Sequence, residues 1–347
     1  MDLPTVAAVA RLILDPALLE DSVDIVWHAG EPLTLSPDYY ARVIAILEAA
    51  RPRAVRLNYG IQTNGTLIDD SWVDFFERYQ INVGISLDGP RRLHDQYRRR
   101  RNRAGSYDKV INGIAKLQAR NYPFHIIGVV TAQTLPHAAE LMAFYRSLRP
   151  TAVGLNVEEV EAQHSVSSLY QNASVEAFES FVAAVLRDAV ASENSEMIIR
   201  DFQRNMSSLI AGVPEDNDQV IPLRIVTIAW NGDISTFSPE LLALSGPQAE
   251  RFTFGNVHSC AALPDILADE RLRAAYTEIL RGVSNCASEC EYFQYCGGGA
   301  PVNKLSETGR LDATETMFCR LTKKTWVEAC LALASAPECR FEVYPAM

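Results

Sequence analysis

The stretch from Arg53 to Gly65, RAVRLNYGIQTNG, decides how the first half of this chain folds. Its apolar, strand-forming middle ends at the turn pair Asn64-Gly65, and this pattern predicts a buried strand. A helix is predicted next at 69–79, and a second strand, INVGISL, at 81–87. Strand and helix alternate in this way to about residue 160, which predicts parallel strands joined by crossover helices, in an open sheet or a barrel.

The other predicted elements of this part fit the same alternation. A first helix at 4–16 precedes a strand at 21–29, and Ser36-Pro37-Asp38 is a plausible cap for the next helix. Further helices are predicted at 107–121 and 136–148, and further strands at 124–131 and 152–158. After residue 161 the alternation stops. Beyond it, the sequence predicts helices at 174–193, 196–211, 263–281 and 320–334, and a β-hairpin at 225–237 with a type I′ turn at Asn231-Gly232-Asp233.

Polar segments stand at the carboxyl ends of the predicted strands. Each of them alone is ordinary turn chemistry. Because the carboxyl ends of parallel strands meet at one rim, where such barrels place their chemistry, the set of five predicts a site. The segments are Gly30-Glu31-Pro32, Thr63-Asn64-Gly65, Ser86-Leu87-Asp88-Gly89, Thr131 and Asn156-Val157-Glu158.

Four cysteines are grouped in the stretch 284–319, SNCASECEYFQYCGGGAPVNKLSETGRLDATETMFC. Four thiolates can close one tetrahedral metal site or hold one four-iron cluster, whereas a pair of disulfides or scattered core thiols are the simpler alternatives. Three glycines follow the third cysteine and allow the backbone to approach closely. The spacing C-x3-C-x5-C and a long gap favour a metal site formed by Cys286, Cys290, Cys296 and Cys319.

The overall composition narrows the class of protein. Apolar residues make up 48% and charged residues 22%, as is ordinary for a soluble globular protein. Neither a long apolar run nor a signal peptide is present, so we expect a cytoplasmic protein that does not bind a membrane. Seven cysteines, five of them between Cys260 and Cys319, fit a reducing compartment. The net charge of -11 argues against nucleic-acid binding and suits a cationic partner, although such acidity also simply keeps proteins soluble.

The rim motifs and the cysteine stretch together resemble radical S-adenosylmethionine (SAM) enzymes that carry a C-terminal SPASM-type auxiliary cluster domain. The segment WHAGEPL at 27–33 is similar to the family's Gly-Gly-Glu-Pro motif, with Ala29 in place of the first glycine. QTNGTL at 62–67 is similar to the motif on the next strand. SLDGP at 86–90, followed by His94-Asp95 and Arg98, is similar to the fourth-strand motif.

Within that family, the chain looks like maturases of ribosomally made peptides (RiPPs), especially those paired with short precursors that are rich in glycine and arginine and end in Gly-Arg-Arg-Met. The segments that carry this resemblance are FSPELL at 237–242, CEYF at 290–293, GAPVNK at 299–304 and TET at 314–316. The resemblance implies an oxidoreductase that cross-links side chains of a precursor peptide. A basic, arginine-rich peptide agrees with the acidic net charge.

The resemblance also implies a role for each rim residue. Gly30, Glu31 and Pro32 would face the methionine amino group of SAM, and Ser86 and Arg98 its carboxylate. Asn64 and Asp88 would contact the ribose, and Asn156 and Val157 the adenine. Candidates for gripping a basic peptide or moving a proton are Asp88, Glu158, Glu159 and Glu161.

The implied fold is α/β, with a partial (β/α)6 radical-SAM-type barrel at 1–165 that misses its first strand, a helical linker region at 166–222, and a SPASM-like domain with the auxiliary metal-cluster site at 223–347. The family's C-x3-C-x2-C loop, which holds the SAM-cleaving cluster, would precede the first helix, and no cysteine occurs before Cys260. We therefore expect the chain to be inactive as written, with SAM belonging to a full-length enzyme. The alternative is a non-catalytic remnant that binds a peptide or another partner.

The auxiliary domain departs from the family pattern as well. Ala300 and the segment 235–238 stand where a full SPASM domain has cysteines, so we expect one [4Fe-4S] cluster rather than two, with zinc as the alternative metal and Cys260 as an alternative ligand. Cys330 and Cys339 are expected to be ordinary thiols. A missing first strand would leave an unpaired sheet edge, which predicts a homodimer through that edge or its cover by a helix or terminus.

Overall fold

A computed structural model describes residues 1–15, 21–160, 164–170, 172–192, 197–211, 216–244 and 246–335. Two of the residues discussed above, Glu161 and Cys339, lie outside these ranges. The chain divides into two compact units. One comprises Pro16–Asn156 and Ser180–Gln203, and the other Met1–Asp15, Val157–Glu179 and Arg204–Met347. The domain boundaries proposed at residues 165 and 222 stay a prediction.

A parallel sheet of six strands confirms the predicted α/β fold, and the order of the strands in space is their order in the chain. The helix α1 (Leu3–Ile13) precedes the first strand. The strands are β1 (Ser22–Trp27), β2 (Arg56–Thr63), β3 (Asn82–Ser86), β4 (His125–Val130), β5 (Ala152–Val157) and β6 (Ile198–Ile199). The helices between them are α2 (Pro37–Ala50), α3 (Asp70–Tyr79), α4 (Arg91–Tyr97), α5 (Tyr107–Ala119), α6 (Ala138–Leu148) and α7 (Asn172–Ala191).

Burial explains the apolar residues in the middle of the central strands. Val83 and Ile85 of β3 are both fully buried, as expected for a parallel strand that is covered on its faces. On the helix side, Trp72 and Phe75 pack edge to face with ring centroids 5.7 Å apart, next to the fully buried Phe76. Burying one such side chain contributes about 1.5–3 kcal/mol, so this aromatic group fixes α3 against the sheet.

The strand β1 lies at one end of the sheet and pairs with β2. Its residues alternate between exposed and half-buried, and the side chain of Val26 is 54% exposed. In the described parts of the chain, no strand pairs with the other side of β1. The homodimer through this edge stays a prediction.

A three-stranded antiparallel sheet belongs to the other unit and consists of β7 (Val226–Ile228), β8 (Asp233–Thr236) and β9 (Gly255–Asn256). Its hydrophobic core includes Ala8 and Leu12 of α1, which pack with Ile234 and Phe237. The first helix therefore shares a core with residues more than 200 positions later in the chain. The helices after β6 are α8 (Arg200–Ala211), α9 (Pro247–Phe252), α10 (Glu270–Glu289), α11 (Phe293–Cys296), α12 (Pro301–Thr308), α13 (Met317–Cys319) and α14 (Thr325–Ala334).

Three predicted elements differ from the structure. The helix predicted at 196–211 is wrong at its start, because Ile198–Ile199 pairs with β5 as a short strand. The helix predicted at 263–281 opens as a 3-10 turn, and α10 then continues to Glu289. The type I′ turn is wrong, since Gly232 alone among residues 229–233 has a positive φ, of 89°. This arrangement is typical of a three-residue hairpin loop that closes on a left-handed glycine.

Two smaller expectations have clear outcomes. Ser36 caps α2, since its hydroxyl oxygen accepts a hydrogen bond from the backbone N–H of Tyr39 at 3.3 Å. In the portion of the chain that is described, no helix combines the length and the apolar character that crossing a membrane would require.

The packing behind the sheet can be tested at Gly128. A Cβ atom there would overlap the hydroxyl of the buried Tyr145, which donates a hydrogen bond to the carbonyl oxygen of Leu87 at 2.8 Å. We expect Gly128→Ala to lower the free energy of unfolding in urea by about 1–3 kcal/mol, because the added methyl group overpacks this site. Gly60→Ala is the matched control, since its Cβ would meet no atom closer than 3.5 Å. Equal effects of the two substitutions would contradict this account.

Candidate functional site

The carboxylate of Glu31 joins the ends of the first two strands. One oxygen accepts hydrogen bonds from the backbone N–H of Leu33 at 3.0 Å and from the hydroxyl of Thr63 at 2.6 Å. The other accepts from the backbone N–H of Asn64 at 2.8 Å. Just before it, Ala29 and Gly30 both have φ of 62°. For Ala29 this left-handed conformation costs about 1–2 kcal/mol, so the surroundings must hold the loop in place.

Polar side chains that sequence reasoning missed lie beside these segments, around Gly84. The amide of Gln62 donates to the hydroxyl of Ser86 at 3.1 Å. A Cβ at position 84 would overlap the side chains of Gln62 and His125. A glycine inside a strand is a sequence signal of such close approach, and it could have pointed to this polar group. Asn64 uses its side-chain oxygen locally, accepting from the N–H and the hydroxyl of Thr66 at 2.9 and 2.7 Å.

Asp88 and Arg98, both predicted as SAM contacts, form an ion pair with each other. The Nε of Arg98 donates to the Asp88 carboxylate at 2.6 Å, and the other carboxylate oxygen accepts from the backbone N–H of Val129 at 3.0 Å. Asp88 is buried, whereas 30% of the Arg98 side chain is exposed. Among the described residues, the remaining guanidinium N–H groups have no protein acceptor, which leaves them available to a carboxylate.

The fully buried ring of His94 supports this ion pair. Its Nδ1 accepts from the backbone N–H of Asp88 at 3.3 Å, so the ring proton lies on Nε2, which is 2.9 Å from the hydroxyl of Ser106. The Ser106 hydroxyl in turn donates to the carbonyl oxygen of Arg98 at 2.8 Å. These bonds fasten α4 and the arginine-rich loop after it to the end of β3.

The residues of the last predicted rim segment, Asn156-Val157-Glu158, contact different parts of the protein. The side-chain oxygen of Asn156 accepts from Arg200 at 2.7 Å, and Val157 is buried. Both oxygens of Glu158 face the loop that follows: one accepts from the N–H and the hydroxyl of Ser168 at 2.6 Å each, and the other lies 3.5 Å from His164. Asn303 donates to the carboxylate of Glu159 at 2.8 Å. Both glutamates therefore anchor protein groups in this structure.

The four predicted cysteine ligands line a single cavity of about 330 Å³. Cys286 stands in the last turn of α10 and Cys296 ends α11, and both are buried. Cys290 follows α10 directly, and Cys319 ends α13. The other residues that line the cavity are Glu289, Glu291, Gly299, Thr314, Glu315 and Lys324.

The glycines after Cys296 have the conformations that the sequence predicted. Gly297, Gly298 and Gly299 have φ of 58°, 102° and 76°, which are angles that residues with a side chain rarely adopt. Asn217, which sequence reasoning missed, holds the loop from outside by donating to the carbonyl oxygen of Gly299 at 2.7 Å.

The segment that carries Cys319 is held by Glu307. This carboxylate accepts from the backbone N–H groups of Met317 at 2.6 Å and Phe318 at 3.0 Å, and from the hydroxyl of Tyr170 at 2.9 Å. The N–H of Cys319 donates to Thr316 at 3.0 Å. Glu307 lies within the cysteine stretch, 12 residues before Cys319, but no local signal marks it as a partner of that segment.

The thiols influence each other electrostatically. Burial raises the pKa of Cys319 to about 12, with smaller contributions in the same direction from the neighbouring thiols of Cys296 and Cys290. Burial also raises the pKa of Cys286, against the opposing effect of the Lys304 ammonium. Cys260 is not among the lining residues and packs against the hydrophobic core, and Cys330 is fully buried. In the described ranges, no three His, Cys, Asp or Glu side chains are arranged around a point as ligands of a single ion.

The buried His94 predicts a pH dependence of stability. Burial lowers its pKa below the ordinary 6.5, with Arg98 acting in the same direction and Asp88 and Asp95 opposing it. Because the pKa is lower in the folded state, the stabilisation is fully present above about pH 6.5 and is lost as the pH falls below that value. We expect the wild type to lose more unfolding free energy than His94→Gln between about pH 7.5 and 5.5 in urea titrations. His125→Gln, which retains His94, is the matched variant, and equal losses in wild type and His94→Gln would refute the prediction.

Comparison with known proteins identifies the family of this chain. The Radical SAM superfamily profile matches residues 4–166. An uncharacterized protein of Synechocystis sp., sll1766, is 36% identical over 299 residues, which cover 85% of this chain and 75% of that protein. A serine-type anaerobic sulfatase-maturating enzyme of Bacteroides thetaiotaomicron is 23% identical over 85% of this chain and 72% of its own length. A cysteine-type enzyme of the same name from Clostridium novyi is 33% identical over 37% of this chain and 34% of its own length.

Solved structures share the fold at low sequence identity. Native anSMEcpe with bound AdoMet superimposes with a TM-score of 0.79 and 16% identity, over 96% of this chain and 88% of that one. Streptococcus suis SuiB bound to the precursor peptide SuiA gives a TM-score of 0.54 and 19% identity, over 86% of this chain and 65% of that one. The profile match, together with the motifs at the ends of β1, β2 and β3, shows that residues 4–166 of this chain are a radical SAM superfamily domain.

Proposed function

We propose that this protein is a maturase that modifies a ribosomally made, basic precursor peptide by cross-linking its side chains, and that Cys286, Cys290, Cys296 and Cys319 hold one auxiliary [4Fe-4S] cluster. The observation that carries the proposal is the single cavity that these four thiols share. The names of the relatives support a peptide or protein substrate, since they include sulfatase-maturating enzymes and a SuiB complex with its precursor peptide.

The cysteine cavity fits a cluster better than a single ion. Its volume of about 330 Å³ leaves room for a group of several atoms. Four thiolates are the ligand set of a [4Fe-4S] cluster, and they also satisfy zinc, which remains the alternative metal. A cluster bound there would supply one-electron transfer. The cysteines would bind as thiolates, and the pKa of Cys319, raised to about 12 by burial, means that binding must displace its proton.

The rim residues would bind SAM, which supplies hydrogen-atom abstraction once it is bound and reduced. The free guanidinium N–H groups of Arg98 suit the methionine carboxylate, and Asp88 holds the arginine in place. We also assign Ser86, whose hydroxyl accepts from Gln62, to that carboxylate. The backbone of Gly30-Glu31-Pro32 would face the amino group. Because the carboxylates of Glu31 and Asp88 already accept several protein hydrogen bonds each, we assign both of them to positioning.

An acidic surface supports a basic peptide as substrate. Glu289, Glu291 and Glu315 all line the cysteine cavity and all are exposed. Carboxylates at such a surface attract arginine side chains over several ångströms and can pair with them bidentately. The net charge of -11 acts in the same direction. The cytoplasmic location and the homodimer belong to this proposal as predictions.

A second candidate is a binding protein without radical chemistry. The observation that favours it is that the rim carboxylates of Glu31 and Asp88 are already occupied by hydrogen bonds from the protein itself. Such a protein would hold the peptide next to one structural iron–sulfur or zinc site. The two candidates differ in whether SAM is consumed, and the experiments below distinguish them.

The cluster assignment predicts the metal content of cysteine variants. Anaerobically reconstituted wild type is expected to contain four iron and four sulfide ions per chain, because four thiolates close one such cluster. Cys296→Ala and Cys319→Ala should each lose most of the iron and the absorption of the cluster. Cys260→Ala and Cys330→Ala are the controls and should keep both, since neither thiol lines the cavity. Stoichiometric zinc without sulfide in the wild type would overturn the assignment.

The proposed reaction predicts a change in peptide mass. The purified chain, and the same chain extended by its upstream reading frame, are incubated anaerobically with SAM, dithionite and a Gly/Arg-rich peptide. We expect the extended form to consume SAM and to produce a peptide that has lost two hydrogen atoms, as a new cross-link requires. A peptide in which glutamine replaces arginine is the matched control and should react much more slowly. Peptide binding without SAM consumption by either form would support the binding protein instead.

A further inference from the structure

The buried Lys304 lies directly behind one of the four cavity cysteines. Its side chain, on α12, is 3% exposed. The ammonium donates to the carbonyl oxygen of Gly282 at 3.3 Å and to the Sγ of Cys286 at 3.4 Å. Lysine is almost never buried to this degree unless it is paired, so this position needs an explanation.

The protein groups around Lys304 compensate its charge incompletely. Within the described residues, no carboxylate forms an ion pair with it, and its acceptors are one carbonyl group and one thiol. An uncompensated buried cation costs several kcal/mol, and a neutral carbonyl offsets part of that cost. The second lysine of this region, Lys324, differs because it pairs with Glu315 at 3.2 Å.

Close packing keeps the Lys304 ammonium in this place. A Cβ at Gly282 would lie 3.1 Å from its Nζ and 2.6 Å from the carbonyl oxygen of Leu311. The glycine thus admits the ammonium between two helices. Of the three N–H groups of the ammonium, the contacts with Gly282 and Cys286 use two.

We propose that Lys304 tunes the reduction potential of the cluster, by donating a charge-assisted hydrogen bond to the Cys286 thiolate and placing a fixed positive charge beside the cavity. This inference rests on the proposed function, because it requires a cluster on the four cysteines. Hydrogen bonds to the sulfurs and local charge are established determinants of cluster potential. A cation stabilises the reduced, more negative state more than the oxidised one, so Lys304 raises the potential.

The electron balance of this step is simple. One electron passes from a low-potential one-electron donor, dithionite in the test, to the cluster. The step transfers no proton, and no bond to Lys304 forms or breaks. The lysine is therefore a positioning residue that acts through Cys286 and does not touch the substrate.

The test is an EPR-monitored redox titration of the reconstituted full chain. Lys304→Met removes the charge at similar side-chain length, and we expect it to favour the oxidised cluster at least tenfold, which is a fall of about 59 mV for a one-electron couple. Lys304→Arg keeps the charge and should remain nearer the wild-type potential. Lys116→Met removes one charge from an exposed lysine that pairs with Asp70, and it controls for net charge. A Lys304→Met potential equal to that of the wild type, or equal shifts in the Met and Arg variants, would overturn the proposal.

A second measurement does not depend on the folding of a variant. In reduced wild-type protein labelled with ¹⁵N-lysine, a hydrogen bond from Nζ to the Cys286 sulfur should give a ¹⁵N coupling to the cluster spin in pulsed EPR. The absence of this coupling would also overturn the proposal. Iron and sulfide analysis of the wild type distinguishes a failure of the cluster proposal from a failure of the role proposed for Lys304. A chain that holds no cluster fails the proposed function, whereas a chain with a full cluster and no effect of Lys304 fails this inference alone.

Discussion

The pairing of parallel strands in chain order is the constraint on which the sheet-bearing unit depends. Since β1 to β6 are neighbours in the order of the sequence, every strand delivers its last residues to the same edge. The segments after β1, β2 and β3 are then locked there by carboxylates, those of Glu31 and Asp88, which accept backbone N–H groups from neighbouring strand ends. Glu31, predicted as a SAM contact, and Asp88, also predicted as a candidate for moving a proton, thus hold the backbone at this edge of the sheet.

Much of the fold could be predicted from local patterns, and the errors have local causes. The five long strands β1 to β5 were recognisable because apolar runs that end in turn residues repeat through them. The strand β6 was missed since two residues, Ile198–Ile199, are too short to show a period. The end of α10 was missed because cysteines at 286 and 290 suggested a loop, although Cys286 lies in the helix. The turn at Gly232 was misjudged because hairpin loops of different length share the same residues.

Only those residues of the candidate site that belong to a sequence motif could be predicted. Cysteine spacing identified the four thiols of the cavity, and strand-end motifs identified Glu31, Asp88 and Arg98. The residues that orient them were given no role from the sequence: Glu307 holds the segment of Cys319, and Lys304 lies behind Cys286. Such partners are set by the packing of helices in space, and their spacing along the chain carries no signal.

The helix α1 has a consequence for how the chain is made. Its residues Ala8 and Leu12 are synthesised more than 200 residues before Phe237, Ile279 and Val302, which belong to the core that covers them. The six strands are complete long before those partners are synthesised, and domains generally fold as units during synthesis. The apolar face of α1 therefore stays exposed while the middle of the chain folds. It is protected from aggregation and proteolysis only after the later residues of that core have been synthesised.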